Sequence, residues 1–253
     1  MLVLADAHLA YAVGGALWGA CAGSGRLAGS VKRAFVAREH AGAFVEELAL
    51  AAQALELGDP LLATTQMAPL ADPAPLAAAI DEAVALGATL HSGGPAERLT
   101  ILTGIPVSAR LARERVAGPV IDVTPVEDSV AAVALANGGE RSLGASIWST
   151  DRRAAVRIAR ELDARVVWGN DHPPALPARQ TAADALPLCT RAQLIAWDPA
   201  TRRSPWRFPY DAAGPLAARA LAALASAREG DRERALRDGA PAMLRVAGRA
   251  LRR

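Results

Sequence analysis

The stretch VIDVTPVEDSVAAVALANGGERSLGASIWSTDRRAAVRIARELDARVVW, residues 120–168, decides the fold class. Val120 to Thr124 reads as a strand, and Glu127 to Ala136 follows as a helix closed by Asn137-Gly138-Gly139. The unit then repeats. Ala145 to Ser149 is strand-like, and Asp151 is placed to accept hydrogen bonds from the first free amides of the next helix. Ala155, Ile158, Ala159 and Leu162 form the buried stripe of that helix, and Val166 to Trp168 reads as a further strand. Strands alternating with helices of this length predict an α/β fold with a largely parallel sheet flanked by helices on both faces.

The pattern extends toward the N-terminus. Residues 6 to 22 read as a helix, with Leu9, Val13, Leu17 and Cys21 recurring on one face. A Gly-rich turn at Gly23 to Gly29, a strand at Val31 to Val36 and a helix at Ala41 to Leu55 follow, ending at Gly58-Asp59-Pro60. A helix from Pro75 to Leu86 places Leu76, Ile80 and Val84 on one face, with Gly87 as its C-terminal cap, and Thr89-Leu90 reads as a short strand. Toward the C-terminus, Pro173, Pro174, Pro177 and Pro187 break any regular pattern. Gln193 to Trp197 reads as a strand, and residues 215–253, which carry nine arginines, read as one or two Ala-rich amphipathic helices.

Composition excludes several classes. The chain has 253 residues, 52% of them hydrophobic, enough for a sizeable core. With 28 basic and 26 acidic residues the balance demands no nucleic-acid partner. Lys32 is the only lysine, and the arginine and alanine bias is that of a GC-rich coding sequence. Cys21 and Cys189 are too few for a disulfide framework, and the histidines His8, His40, His91 and His172 are scattered away from any zinc-binding pattern. Met1-Leu2-Val3-Leu4 lacks a basic start, and the uncharged run Leu9 to Gly25 is short of a bilayer span, so a cytoplasmic protein is expected.

Trp18-Gly19-Ala20, Gly23-Ser24-Gly25-Arg26-Leu27-Ala28 and Lys32-Arg33-Ala34-Phe35-Val36 carry a resemblance to the nucleophile segment of the aldehyde dehydrogenase superfamily. That segment reads Gly-Gln-x-Cys, with an Arg five residues beyond the Cys. Counting back from Arg33 puts the nucleophile position at Ala28 and the Gln position at Arg26. Further ordered segments resemble the same family: Val3 to Ala7, Phe44-Val45-Glu46, Gly58-Asp59-Pro60, Gly93-Gly94 and Thr100 to Thr103. So do Arg113 to Val120, Ala136-Asn137 with Leu143 to Ser146, Trp148 to Asp151, and Val167 to Asp171. Trp206-Arg207-Phe208-Pro209-Tyr210 is similar to a late segment of some fatty and semialdehyde members.

The resemblance implies an NAD(P)-dependent oxidation of an aldehyde to a carboxylic acid through a Cys thiolate, yet the departures fall on the working positions. Alanine has no nucleophilic atom, so the covalent route is closed at Ala28. Arg115 stands where the family has the Glu that holds the nicotinamide ribose, and Ala117 where it has the Phe beside the nicotinamide. A guanidinium cannot accept hydrogen bonds from ribose hydroxyls. The Gly-rich segment after the Val167 to Asp171 motif is expected to be deleted, since Leu186-Pro187-Leu188-Cys189 already resembles the late helix end. The sequence also starts downstream of the family's nucleotide-binding domain, catalytic Glu and oxyanion-hole Asn, and it contains no Gly-rich phosphate-binding turn.

Residues 1–200 are therefore expected to form an aldehyde dehydrogenase catalytic-domain-like unit lacking the N-terminal nucleotide-binding domain, and residues 201–253 a helical extension. The expected catalytic residues are none, the expected metal none, and the cofactor positions are degenerate at Arg115 and Ala117. No cofactor is expected for the isolated chain, with NAD or NADP entering only if a partner or a preceding half supplies the binding domain. The leading reading is a non-catalytic homologue with a structural or partner-binding role, pairing with a full-length relative or a second copy through an unpaired sheet edge near Gln193 to Trp197. One alternative is the catalytic half of a split dehydrogenase. Another is a ligand-binding or membrane-surface module that uses the vacated pocket, an anion site made by Arg115 with Arg26, and the basic tail. Cys21 is read as a buried structural thiol, and Asn170, Asp171 and His172 as a loop satisfying backbone groups.

Overall fold

In the computed structural model the described residues are 1–94, 98–138, 142–173, 193–198, 213–224 and 229–251. Cys189, the run Leu186 to Cys189 and the segment Trp206 to Tyr210 lie outside them. The strands are β1 (Leu2–Val3), β2 (Arg33–Ala37), β3 (Thr89–Ser92), β4 (Thr100–Thr103), β5 (Val120–Val126), β6 (Ser142–Trp148), β7 (Ala164–Gly169) and β8 (Leu194–Trp197). The helices are α1 (Leu9–Cys21), α2 (Arg38–Gln53), α3 (Ala74–Ala85), α4 (Arg110–Arg113), α5 (Ser129–Asn137), α6 (Arg152–Glu161), α7 (Ala213–Leu224) and α8 (Glu229–Leu251). Contacts divide the chain into two units, one of residues 1–54 and 69–200, the other of residues 55–68 and 201–253.

The first unit is built on one eight-stranded sheet in the order β3-β4-β5-β2-β1-β6-β7-β8. Every pairing is parallel except β3 with β4. The β5–α5–β6–α6–β7 run is the expected repeat. Asp128 caps α5 by accepting from the Ala131 amide at 2.8 Å, and Asp151 caps α6 by accepting from Arg153 and Ala154 at 2.8 and 3.0 Å. Ala155, Ile158, Ala159 and Leu162 pack with Leu2, Phe35, Ile147 and Val167 in one core. On β6, Trp148 points the opposite way from Ile147 and lies against Gly15 of α1, so helices cover both sheet faces.

Two expectations are corrected. On α3 the buried face is Leu76, Ala79, Ile80 and Ala83, with Val84 turned to solvent at 41% exposure. A helix carries 3.6 residues per turn, so steps of four drift off the face that a step of three restores. The Gln193 to Trp197 segment is not unpaired: β8 aligns in parallel with β7, Val167 opposite Ile195 and Gly169 opposite Trp197. The Gln193 side-chain amide donates to the carbonyls of Ala159, Leu162 and Ala164 at 3.0, 3.1 and 3.0 Å, satisfying the acceptors left open where α6 ends and β7 starts. Among the described residues β8 is the last strand on this side of the sheet.

In the second unit, Ala213 and Ala217 of α7 pack on Ala242 and Val246 of α8. Among the described residues no helix is long and apolar enough to cross a membrane.

Candidate functional site

The loop between α1 and β2 carries the position the sequence marks as decisive. Its backbone turns through three successive left-handed residues, Gly23, Ser24 and Gly25, with φ of 59°, 57° and 67°. Gly25 is held against the segment that leads into β5. The Gly118 amide donates to the Gly25 carbonyl at 3.2 Å, and a Cβ on Gly25 would stand 2.2 Å from the Gly118 oxygen. Only glycine permits both the conformation and the approach.

Three side chains tie this loop down by its carbonyls. Lys32 Nζ donates to Gly25 at 3.0 Å and also to the Gly118 carbonyl. Arg115 Nη2 donates to Leu27 at 2.5 Å and to Arg26 at 3.2 Å. His172, 4% exposed, bonds through Nε2 to the Gly29 carbonyl at 2.7 Å and through Nδ1 to Ser146 Oγ at 3.0 Å. A carbonyl only accepts, so Nε2 carries the proton and Nδ1 accepts from the Ser146 hydroxyl. The loop is thereby fixed on both sides of Ala28, which is itself exposed.

A pocket of about 300 Å³ opens beside this loop. Ala28, Ser30, Lys32, Arg115, Asp122 and His172 contribute to its wall. Burial lowers the Lys32 ammonium to about 8, reinforced by the nearby Arg115 charge and partly offset by Cys21. Burial likewise pushes the Cys21 thiol up to about 12, with Lys32 acting in the opposite sense. Burial raises Asp122 to about 6 against the opposing effects of Thr124 and Arg33, and its Oδ1 has no hydrogen-bond partner. Burial also depresses His172 to about 4, outweighing the Gly29 carbonyl. The resulting site holds a neutral imidazole, a protonated amine at neutral pH and a guanidinium, with an alanine at position 28. Among the described residues no group of His, Cys, Asp and Glu could hold a metal ion.

Several readings of single residues are resolved by this geometry. Cys21 is wholly buried, as a structural thiol would be. Asn170, in a left-handed conformation with φ of 53°, clamps Ser149 by accepting from its amide and donating to its carbonyl, both at 3.0 Å. Arg26 does not join Arg115 in an anion site, because its Nε turns back to the Gly23 carbonyl at 3.3 Å. Lys32 stands beside Arg115 instead. His172 satisfies a backbone carbonyl, as expected of its loop, whereas the sequence assigns Lys32 no role beyond its place in the segment that resembles the family.

A family model described as the aldehyde dehydrogenase family matches residues 1–181. The betaine aldehyde dehydrogenase of Cereibacter sphaeroides is 34% identical over 180 residues, covering 67% of this chain and 37% of that protein. The vanillin dehydrogenase of Pseudomonas fluorescens is 37% identical over 173 residues, covering 66% of this chain and 36% of its own length. The solved structure of betaine aldehyde dehydrogenase from Staphylococcus aureus, in complex with NAD+, matches with a TM-score of 0.65 and 28% identity across 69% of this chain and 38% of that one. The chain spans 36–37% of these two curated relatives. The family model covers more than half of the chain, and the chain belongs to the aldehyde dehydrogenase family.

Proposed function

We propose that this chain is a non-catalytic member of the family with a structural or partner-binding role. The carrying observation is Ala28: it lines the pocket at the nucleophile position, on a loop whose carbonyls are tied by Lys32, Arg115 and His172, and it offers no atom that can attack a carbonyl carbon. The residues around it do not fit a nicotinamide ribose either. Position 115 presents a guanidinium already donating to two loop carbonyls, position 117 has no ring, and the nearby Glu114 is ion-paired to Arg110 at 2.7 Å. The partner-binding part is supported by the outer side of β8, which among the described residues pairs with a strand on one side alone.

The test is a continuous absorbance assay of purified protein with NAD or NADP and a panel of aliphatic and aromatic aldehydes, betaine aldehyde and vanillin included. No reduced cofactor should accumulate. A robust, protein-dependent rate would sink the proposal.

A further inference from the structure

The pocket wall carries Lys32, Arg33, Arg113 and Arg115 against two carboxylates, Asp122 and Glu114, and neither acid forms an ion pair with Lys32 or Arg115. Among the described residues, the ion pairs are Arg38 with Glu127, His40 with Glu39, and Arg110 with Glu114, so neither Lys32 nor Arg115 takes part in one. Each donates only to neutral carbonyls, which leaves a proton of the ammonium and most of the guanidinium edge uncommitted. The two donate to carbonyls of the same loop, at Gly25 and at Arg26 and Leu27, and the Arg115 charge disfavours that on Lys32, a repulsion that an anion near both would relieve. Of the two acids on the wall, Glu114 is ion-paired to Arg110 at 2.7 Å, and Asp122 feels the opposing charge of Arg33.

Two more features shape the space. Ser30 Oγ is buried without a hydrogen-bond partner on the same wall, a donor placed for an acceptor that the protein does not supply. Ile105, Leu111 and Val116 add apolar surface to the wall. A volume of about 300 Å³ is at the small end of ligand pockets.

We propose that this pocket binds a small organic anion, a short apolar body with a carboxylate or phosphate-ester head, the head held by Lys32, Arg115 and Ser30 and the body by Ile105, Leu111 and Val116. A cation pair suits either head, because both present charged acceptor oxygens in a compact group. The inference does not depend on the absence of aldehyde oxidation. A positive dehydrogenase assay would overturn the preceding reading and leave this one standing.

Because Lys32 is the only lysine, protein labelled with ¹³C-lysine gives one lysine Cε signal, a direct report from the site. Hexanoate and hexyl phosphate serve as probes, with 1-hexanol as the neutral control of matching body. Either anion at low ionic strength is expected to shift the Lys32 signal and raise its titration midpoint, and added salt to weaken the effect. The tighter of the two anions identifies the head. Arg115→Gln, at an exposed position, is expected to keep the fold and lower anion affinity about tenfold. Failure of both anions to move the Lys32 signal overturns the proposal. So does an equal response to 1-hexanol, or unchanged anion affinity in a folded Arg115→Gln.

Discussion

His172 Nε2 donates to the carbonyl of Gly29 at 2.7 Å, a bond spanning 143 residues of sequence. It ties the segment after β7 to the loop that carries Ala28, and it does so with an imidazole that burial keeps neutral down to about pH 4. The unfolded chain regains the ordinary His value of 6.5. Between those values the unfolded state binds the extra proton, so this group's contribution to stability is complete above about pH 6.5 and is lost as pH falls toward 4. The size is on the order of 3 kcal/mol. Urea unfolding of the wild type and His172→Gln at pH 7.5 and pH 4.5 isolates the effect, because other titrating groups cancel in the difference. The wild type should lose about 2 kcal/mol more than the variant on acidification. Equal losses would show that His172 does not titrate with folding.

Much of the architecture is legible in local sequence because its causes are local. Asp151 precedes a helix whose apolar stripe returns every three to four residues, and the structure places both as expected. β1 escaped notice for an equally physical reason: two residues carry no alternation, and Leu2 and Val3 become a strand only because β2 and β6 flank them. The site divides the same way. Ala28 is marked by the resemblance to the family's nucleophile segment, counted from Arg33, whereas the contacts of Lys32 and His172 depend on Gly118 and Gly29, which lie 86 and 143 residues away. No window of sequence joins such pairs.

Ala28→Cys should create a reactive thiol without restoring turnover. Ala28 is exposed, so the new side chain meets little resistance and stability should change by less than about 0.5 kcal/mol. The Lys32 and Arg115 charges on the same pocket wall favour a thiolate there, below the ordinary cysteine value. Cys21, wholly buried and pushed up to about 12, should stay silent. In a Cys189→Ser background, Ellman's reagent should label one thiol rapidly in the native variant and none in its parent. With NAD and any aldehyde of the panel the isolated variant should still form no NADH, as the proposal that Arg115 and Ala117 do not suit the nicotinamide ribose requires. Turnover by the variant alone would refute that last point.

Gly25→Ala and Gly14→Ala should move stability in opposite directions. At Gly25 the added carbon meets the Gly118 oxygen at 2.2 Å, with φ at 67°. The loop must open, breaking the Gly118 and Lys32 bonds to the Gly25 carbonyl, at a cost above about 2 kcal/mol. At Gly14, within α1, a Cβ meets nothing within 4 Å, and alanine is the better helix former by about 1 kcal/mol. Paired denaturation midpoints decide the matter, and similar shifts for the two variants would mean that the Gly25 to Gly118 contact does not constrain the folded state.

Gln193→Ala should loosen β8 selectively. The Gln193 amide satisfies three carbonyls where α6 gives way to β7, and it stands one residue before the strand that closes the sheet. Alanine leaves those acceptors without this donor and removes the clamp that sets the start of the β7 to β8 register, at Val166 opposite Leu194. Among the described residues β8 has strand pairing on one side alone, so the loss falls on its pairing with β7, whereas β7 also pairs with β6. Native-state hydrogen exchange should therefore accelerate about tenfold or more at Leu194 to Trp197, with protection at Val166 to Trp168 nearly unchanged, the ratio following from loss of about 1.4 kcal/mol of local stability. Uniform acceleration across both strands would place Gln193 in the global core and remove the basis for treating β8 as a separately opening edge.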